Sequence, residues 1–310
     1  MCDTERAAIK ARALELGLIA LIVQGEGFAP LAFGDIARPV IIHSMRKSIL
    51  SALYGEAIGR GAIDPRRTLA QLAIDDDPKL TEAEKSATIF DLLAARSGVY
   101  LPAPGHEPTP GRPARGSHAP GTFWNYNNWD FNVLGNIYER LTMKNVFIAF
   151  DHILAKPLGM QDWDLFRDSF LEYKVDPIGG NLRYPNHRMA LSARDLARFG
   201  QFYLQRGKWN DAELLSSQWV SQSTRAISLT GQIGATSAYG LLWWVAADEN
   251  GVVPTGAFTA FGFGGNYLTV VPALQVVVVS LVDTRSPSFK GVSGKAYDEL
   301  LRTIMDALRR

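Results

Sequence analysis

Two blocks of strand-forming sequence stand at opposite ends of this 310-residue chain, and any fold must bring them together. Near the start, LIALIVQ and FAPLAFG flank the turn GEG; near the end, YLTVVPALQVVVVSLV divides into two apolar runs around Pro272. The first block reads as an antiparallel hairpin, the second as two more strands, and YGLLWWV (239–245) as a fifth. Residues 5–16 read as a short helix, and the last segment, SGKAYDELLRTIMDALRR, has apolar residues at helical spacing and basic residues in its final turn. It is expected to lie across one face of the sheet.

The middle of the chain has a different period. TEAEKSATIFDLLAARSG, NNWDFNVLGNIYERLT, NVFIAFDHILAKPLG and SARDLARFGQFYLQRG carry helical patterns, the last opened by a capping box of Ser192 and Asp195. The Pro- and Gly-rich loop LPAPGHEPTPGRPARGSHAPG is too long for a simple connection, and long ordered loops border sites. The expected fold is therefore α/β (α+β): an antiparallel sheet of about five strands flanked by helices, with an inserted all-helical domain and a cleft between the two parts. Residues 1–70 would form the first part of the α/β domain with the serine helix, 71–185 the helical insertion with the Tyr-x-Asn loop, and 186–310 the remainder.

Thirty-two basic against thirty-one acidic residues leave a net charge of +1, with no basic run to track a phosphate backbone, so nucleic acid is not an expected partner. Cys2 is the one cysteine, which removes disulfides and cysteine metal sites. MCDTERAAIK lacks the apolar core of a signal peptide and GLIALIV is too short to span a bilayer, so no membrane association is expected. Location reads as cytoplasmic by default, or periplasmic for a chain trimmed of an export signal.

Chemistry enters with HSMRKSILSAL (43–53), where Ser44 precedes Lys47 by one helical turn. At i and i+3 the two side chains share a face, so the Lys47 ammonium can manage the Ser44 proton at a helix N-terminus that favours negative charge. About one SxxK is expected by chance in a chain this long. The bland alternative makes Ser44 an N-cap and Lys47 a solvated side chain.

A YxN pattern follows in PGTFWNYNNWDFNVLG, where Tyr126 beside a lysine could have its phenol pKa lowered to act as general base, and Asn128 could orient the lysine or a substrate carbonyl. Its competitor, Tyr184-Pro185-Asn186, has the composition of a turn. A third element, FGFGGNYLTVV, opens glycines onto an edge-like strand whose backbone N–H could join that of Ser44 in an oxyanion hole. It is no dinucleotide fingerprint, because GxGxxG fails at Tyr267. Gly291-Val292-Ser293-Gly294-Lys295 misses GxSxG at its last position, and HExxH is absent. Of the histidines, His118 and His187 are the cleft candidates, while His43, His106 and His152 read as loop or core.

In order, Ser44-x-x-Lys47, Tyr126-x-Asn128 and the glycines near 262–265 resemble the serine hydrolases of the β-lactamase and penicillin-binding-protein superfamily. DLLAARSGV, HILAKPLGM, LSARDLARFGQFYLQRGKWN and YGLLWWV extend the resemblance over most of residues 18–305. The tyrosine motif and SMRKS are similar to class C β-lactamases, the related esterases and the 6-aminohexanoate-oligomer hydrolases. The resemblance implies an acyl-enzyme on Ser44, with Tyr126 and Lys47 serving both acylation and deacylation, and no metal or organic cofactor.

The third motif departs from that pattern. Lactam-recognising members have Lys or His, any residue, then Gly; the best register here is Phe263-Gly264-Gly265, with Phe261-Gly262-Phe263 as rival. A phenyl ring cannot pair a carboxylate, which favours a small ester or amide over a β-lactam or peptidoglycan terminus. The N–H of Asn266 is the expected second oxyanion donor. Trp124, Trp129, Trp243 and Phe261 are candidate walls for an apolar acyl or alcohol group, with a core role as the equal alternative at each, and His187 is a substrate-side candidate. A non-catalytic member of the same fold, used for interaction, is the remaining alternative.

Overall fold

The computed structural model describes residues 1–105, 112–173, 183–248 and 252–309. His106 and part of the Pro/Gly-rich loop lie outside them. The chain ends do meet: an antiparallel sheet of eight strands runs in the order Leu31–Gly34, Ala20–Gly25, Val276–Leu281, Asn266–Val271, Phe258–Gly262, Trp244–Val245, Ala238–Tyr239, Ser228–Leu229. Ala20 pairs with Leu281 and Gly25 with Val276, which fastens the N-terminal hairpin to the C-terminal strand. VVVVSL and NYLTVV are buried at every position, as strands covered by helices on both faces must be.

The sheet is larger than the sequence suggested. FTAFG (258–262) adds a strand, and YGLLWWV is a bend between two short strands instead of one long strand: Gly240 N–H donates to the Trp243 carbonyl at 2.8 Å, and Leu242 has φ 64°. The cause is a close approach, since a Cβ on Gly240 would stand 2.3 Å from the Ser223 carbonyl oxygen. Asn266–Val271 is likewise an interior strand, not the edge-like strand expected, because FTAFG covers its flank.

One face carries the terminal helices Asp3–Glu15 and Gly294–Leu308, whose Ile9, Ala13, Leu300 and Ile304 pack with Leu21, Val23, Val276 and Val278. The other carries Ala193–Leu204 and the helix Arg46–Gly59, which is buried on nearly every side. Ser192 caps the former through the Asp195 N–H at 3.2 Å, but the Asp195 carboxylate turns to the N–H groups of Gln161, Asp162 and Trp163, so half of the expected box forms. TEAEKSATIFDLL makes two short helices, Glu82–Lys85 and Ile89–Leu93, because Thr81 and Thr88 each cap a new start. Among the described residues no helix is long and apolar enough to cross a membrane.

Candidate active site

Ser44 does not cap a helix. It lies half-buried in the single turn His43–Met45, which runs into Arg46–Gly59, and neither helix start has a side-chain cap hydrogen bond. The turn is fixed from two sides. Ile42 N–H donates to the Met189 carbonyl at 3.0 Å, and Gly262 abuts the Ile42 carbonyl from the sheet. His43 takes φ 50°, a left-handed conformation that swings the chain into the helix.

Lys47, 2% exposed, points its amine at three partners. Its Nζ lies 2.6 Å from Ser44 Oγ and 2.8 Å from Asn128 Oδ1, and in short contact with Tyr126 Oη. The apolar part of the enclosure is the ring of Phe131, 4.6 Å from Nζ. Asn128 is oriented by its own Nδ2, which donates to the Gly105 carbonyl at 3.2 Å, leaving Oδ1 as an acceptor for lysine. Tyr126 is held by Trp244, stacked at 5.3 Å, and by Phe131 at 5.0 Å.

The electrostatics differ from the sequence expectation. Burial, reinforced by the charge of Arg46, drives the Lys47 amine well below its ordinary pKa. Burial also pushes the Tyr126 phenol up to about 12, against the opposing pull of the Ser44 hydroxyl and Arg46. Tyr126 is therefore not a ready phenolate; desolvation outweighs the nearby cations. A neutral amine offers two N–H groups and one lone pair. With Asn128 Oδ1 taking one N–H, the two hydroxyls share the other N–H and the lone pair. That arrangement lets a proton leave Ser44 for nitrogen directly or by way of the phenol.

The third motif needs its register corrected. Gly264 and Gly265, with φ 86° and 105°, form the hairpin turn after Phe258–Gly262, and Gly265 N–H donates to the Gly262 carbonyl at 3.3 Å. Asn266, 0% exposed, opens the next strand opposite Gly262. Its side chain braces the site: Oδ1 accepts the Val282 N–H at 2.9 Å, and Nδ2 reaches the carbonyls of Phe263 at 3.3 Å and Ile41 at 3.5 Å. The residues that touch the turn around Ser44 are Gly262, against Ile42 and Met45, and Phe263, whose ring meets His43 edge-on at 5.5 Å. Outside the helices and strands of the described residues, no backbone acceptor takes the N–H of Phe263.

Other candidates separate cleanly. Trp124 is half-buried beside Tyr239 and Trp244, near the phenol. Trp129 is a core residue, 1% exposed, with Nε1 donating to Asp76 Oδ2 at 2.6 Å. Trp243 is buried among Phe199, Tyr203 and Phe258. Phe261 faces the opposite side of the sheet, stacked on Tyr267 at 4.7 Å. His187 is 3% exposed, paired with Glu139 Oε1 at 3.2 Å and pressed on Gly135, where it cannot meet substrate. His118 stacks on Phe123 at 3.9 Å. Tyr184 donates its hydroxyl to the Asp75 carbonyl at 2.6 Å, a structural role, so Tyr126 is the phenol at Lys47.

Sequence reading missed the second layer. Asp130 accepts from Ser97 Oγ at 2.6 Å and Asn127 Nδ2 at 3.1 Å, tying the 97–99 segment to the Tyr126 loop. Burial holds its carboxyl well above the usual carboxylate range. Its one sequence signal was a carboxylate on the apolar side of NNWDFNVLG. Among the described residues no cluster of His, Cys, Asp and Glu is arranged to hold a metal ion.

Comparison with known proteins identifies the family and the fold. The family described as Beta-lactamase matches residues 39–302, and the chain belongs to that family, whose members are generally serine hydrolases. Solved structures share the fold at low identity. A protein from Bacteroides dorei DSM 17855, provisionally described as a β-lactamase, superposes with TM-score 0.70 at 17% identity over 99% of this chain and 98% of its own. One from Bacillus anthracis, provisionally described as a 6-aminohexanoate-dimer hydrolase, gives 0.70 at 19% identity over 97% and 81%. EstCE1, a hydrolase with promiscuous acyltransferase activity, gives 0.67 at 16% identity over 97% of both chains. A search of curated protein sequences found no match.

Proposed function

We propose that this protein is a serine hydrolase that cleaves a small carboxylic ester or amide through an acyl-enzyme on Ser44. The observation that carries the reading is the meeting of Ser44 Oγ, Tyr126 Oη and Asn128 Oδ1 around one desolvated lysine nitrogen. Ser44 Oγ attacks the substrate carbonyl carbon while its proton passes to Lys47 Nζ, directly or through Tyr126. The carbonyl oxygen becomes an oxyanion received by the N–H groups of Ser44 and Phe263. When the carbonyl re-forms, the bond to the alcohol or amine breaks and the leaving group takes the proton back from Lys47 by way of Tyr126. Water then repeats the sequence against the acyl-enzyme, with the same pair as base, and frees the acid.

Substrate class follows from the rim. Phe263, 67% exposed, offers an aromatic face beside the nucleophile. The neighbouring cation, Arg188, is already paired with Glu172 at 2.9 Å. Both features favour an uncharged, apolar ester or amide over a substrate carrying a carboxylate. The names of the aminohexanoate-dimer hydrolase and of EstCE1, a hydrolase with acyltransferase activity, support acyl transfer from an amide or ester. A β-lactamase or D-alanyl peptidase is the second reading, favoured by the family itself.

The test is turnover of p-nitrophenyl esters of graded chain length, nitrocefin and an aminohexanoate dimer by wild type and Ser44→Ala. Ester or amide turnover that vanishes in the variant is expected. Nitrocefin turnover exceeding that of every ester would replace the first reading with the second. Absence of acylation by any of them would leave a non-catalytic protein.

A further inference from the structure

Arg46 occupies a place that guanidinium groups avoid. It is 5% exposed, and among the described residues its guanidinium donates from Nη2 to Asn132 Oδ1 at 3.0 Å. It also lines a small cavity with Leu50, Gly135, Val146, His187 and Met189. Among the described residues no carboxylate pairs with it: Glu172 is committed to Arg188 at 2.9 Å and Glu139 to His187 at 3.2 Å. A buried cation without a counter-charge is far more costly than an apolar side chain of the same volume. Helix packing alone would be served better by methionine or leucine.

Arg46 reaches Asn132 and Lys47 reaches Asn128, one turn apart on the helix Asn128–Thr142, so the two cationic heads lie side by side along that helix. The charged and titratable groups around the two cations come from several elements. On the turn ahead of them stands His43, which burial lowers to about 4 and so keeps neutral. From the loop and helix beyond Tyr126 come Tyr126 itself and Asp130, both kept protonated chiefly by burial. The sheet hairpin brings Tyr239, raised by burial in the same way. The strands Ser169–Glu172 and Asn186–Leu191 bring Glu172 and Arg188, which cancel each other. Arg46 is the uncancelled charge in this set, and its sign opposes a proton on Nζ.

We propose that Arg46 is a positioning residue of an electrostatic kind, whose unpaired charge keeps the Lys47 amine free of a proton and ready to accept that of Ser44. The proposal rests on the reading of Lys47 as base. Desolvation of Lys47 has the larger effect and Arg46 adds to it in the same direction.

The test uses full-length protein carrying [ε-13C]lysine, in which the Lys47 signal is assigned by its loss in Lys47→Arg. The Lys47 titration and the acid limb of kcat/KM for a p-nitrophenyl ester are followed in wild type, Arg46→Met and Arg46→Lys. Arg46→Met should raise both midpoints by about one pH unit, while Arg46→Lys, which keeps the charge, restores them to within about 0.3 unit. Arg46→Gln serves the same purpose if the methionine variant fails to fold. An unmoved Lys47 titration in a folded neutral variant, or an equal shift in Arg46→Lys, overturns the proposal. A titration that moves while the acid limb stays in place overturns instead the assignment of Lys47 as base.

Discussion

Gly262 lies so close to Ile42 that a Cβ on it would stand 2.3 Å from the Ile42 carbonyl oxygen. The strand end that carries Phe263 and the turn that carries Ser44 are held in register by the absence of a side chain. Gly262→Ala must separate them, and a displacement of about 1 Å at a catalytic constellation costs roughly 100-fold in rate. We expect kcat/KM for esters to fall by about that factor with a small change in melting temperature. A folded variant with unchanged kcat/KM would show that the two segments are not coupled in this way.

Removing the nucleophile should be the most severe change. Ser44→Ala is expected to lose several orders of magnitude in kcat/KM and all covalent labelling by an activated ester in intact-protein mass spectrometry. Lys47→Ala and Tyr126→Phe should each be severe, and their combination scarcely worse than the weaker single variant, because the groups move one proton together.

The rate should depend on pH through one limb. In the proposed mechanism Lys47 acts as its free amine, and burial depresses its proton affinity, so activity should rise as pH climbs through the lowered Lys47 value and then level. Tyr126, at about 12, should add no break below that pH. A bell with an alkaline limb near neutrality, measured with an ester whose spontaneous hydrolysis is subtracted, would contradict this assignment.

His43 governs stability in another window. Burial and the Arg188 charge lower its pKa from 6.5 to about 4, so between those values the unfolded chain binds the proton that the folded protein refuses. Its contribution is complete above about 6.5 and is lost as pH falls towards 4. In urea titrations His43→Asn should weaken the decline of stability over this interval relative to wild type. An identical decline in both proteins would show that His43 is not responsible.

Trp129 should separate stability from chemistry. Trp129→Phe leaves Asp76 Oδ2 without the indole donor now 2.6 Å away, at a cost of about 1–2 kcal/mol. Ester kcat/KM should stay within about threefold, since the ring lies in the core. A selective loss of kcat/KM without loss of stability would return Trp129 to the cleft.

Local pattern carried a good part of this protein. The strand blocks at both ends were legible because an interior strand must be apolar along its whole length. Ser44, Lys47 and Tyr126 could be picked out because a turn of helix brings i and i+3 together, and because the phenol lies beside an amphipathic helix start. The expected spacing inside YGLLWWV failed for a nonlocal reason. Gly240 meets a carbonyl from Ser223, and nothing in the heptapeptide announces that neighbour.

The amino-acid order thus determined which groups could perform the chemistry and that the two chain ends would share a sheet. Tertiary structure alone decided that Asn266 opens an interior strand, that Trp129 and His187 are packing residues, and that burial lowers the proton affinity of Lys47 and raises that of Tyr126. Each of those outcomes depends on what surrounds a group on every side. Register, burial and desolvation are set by residues far away in the chain, so no window of sequence contains them.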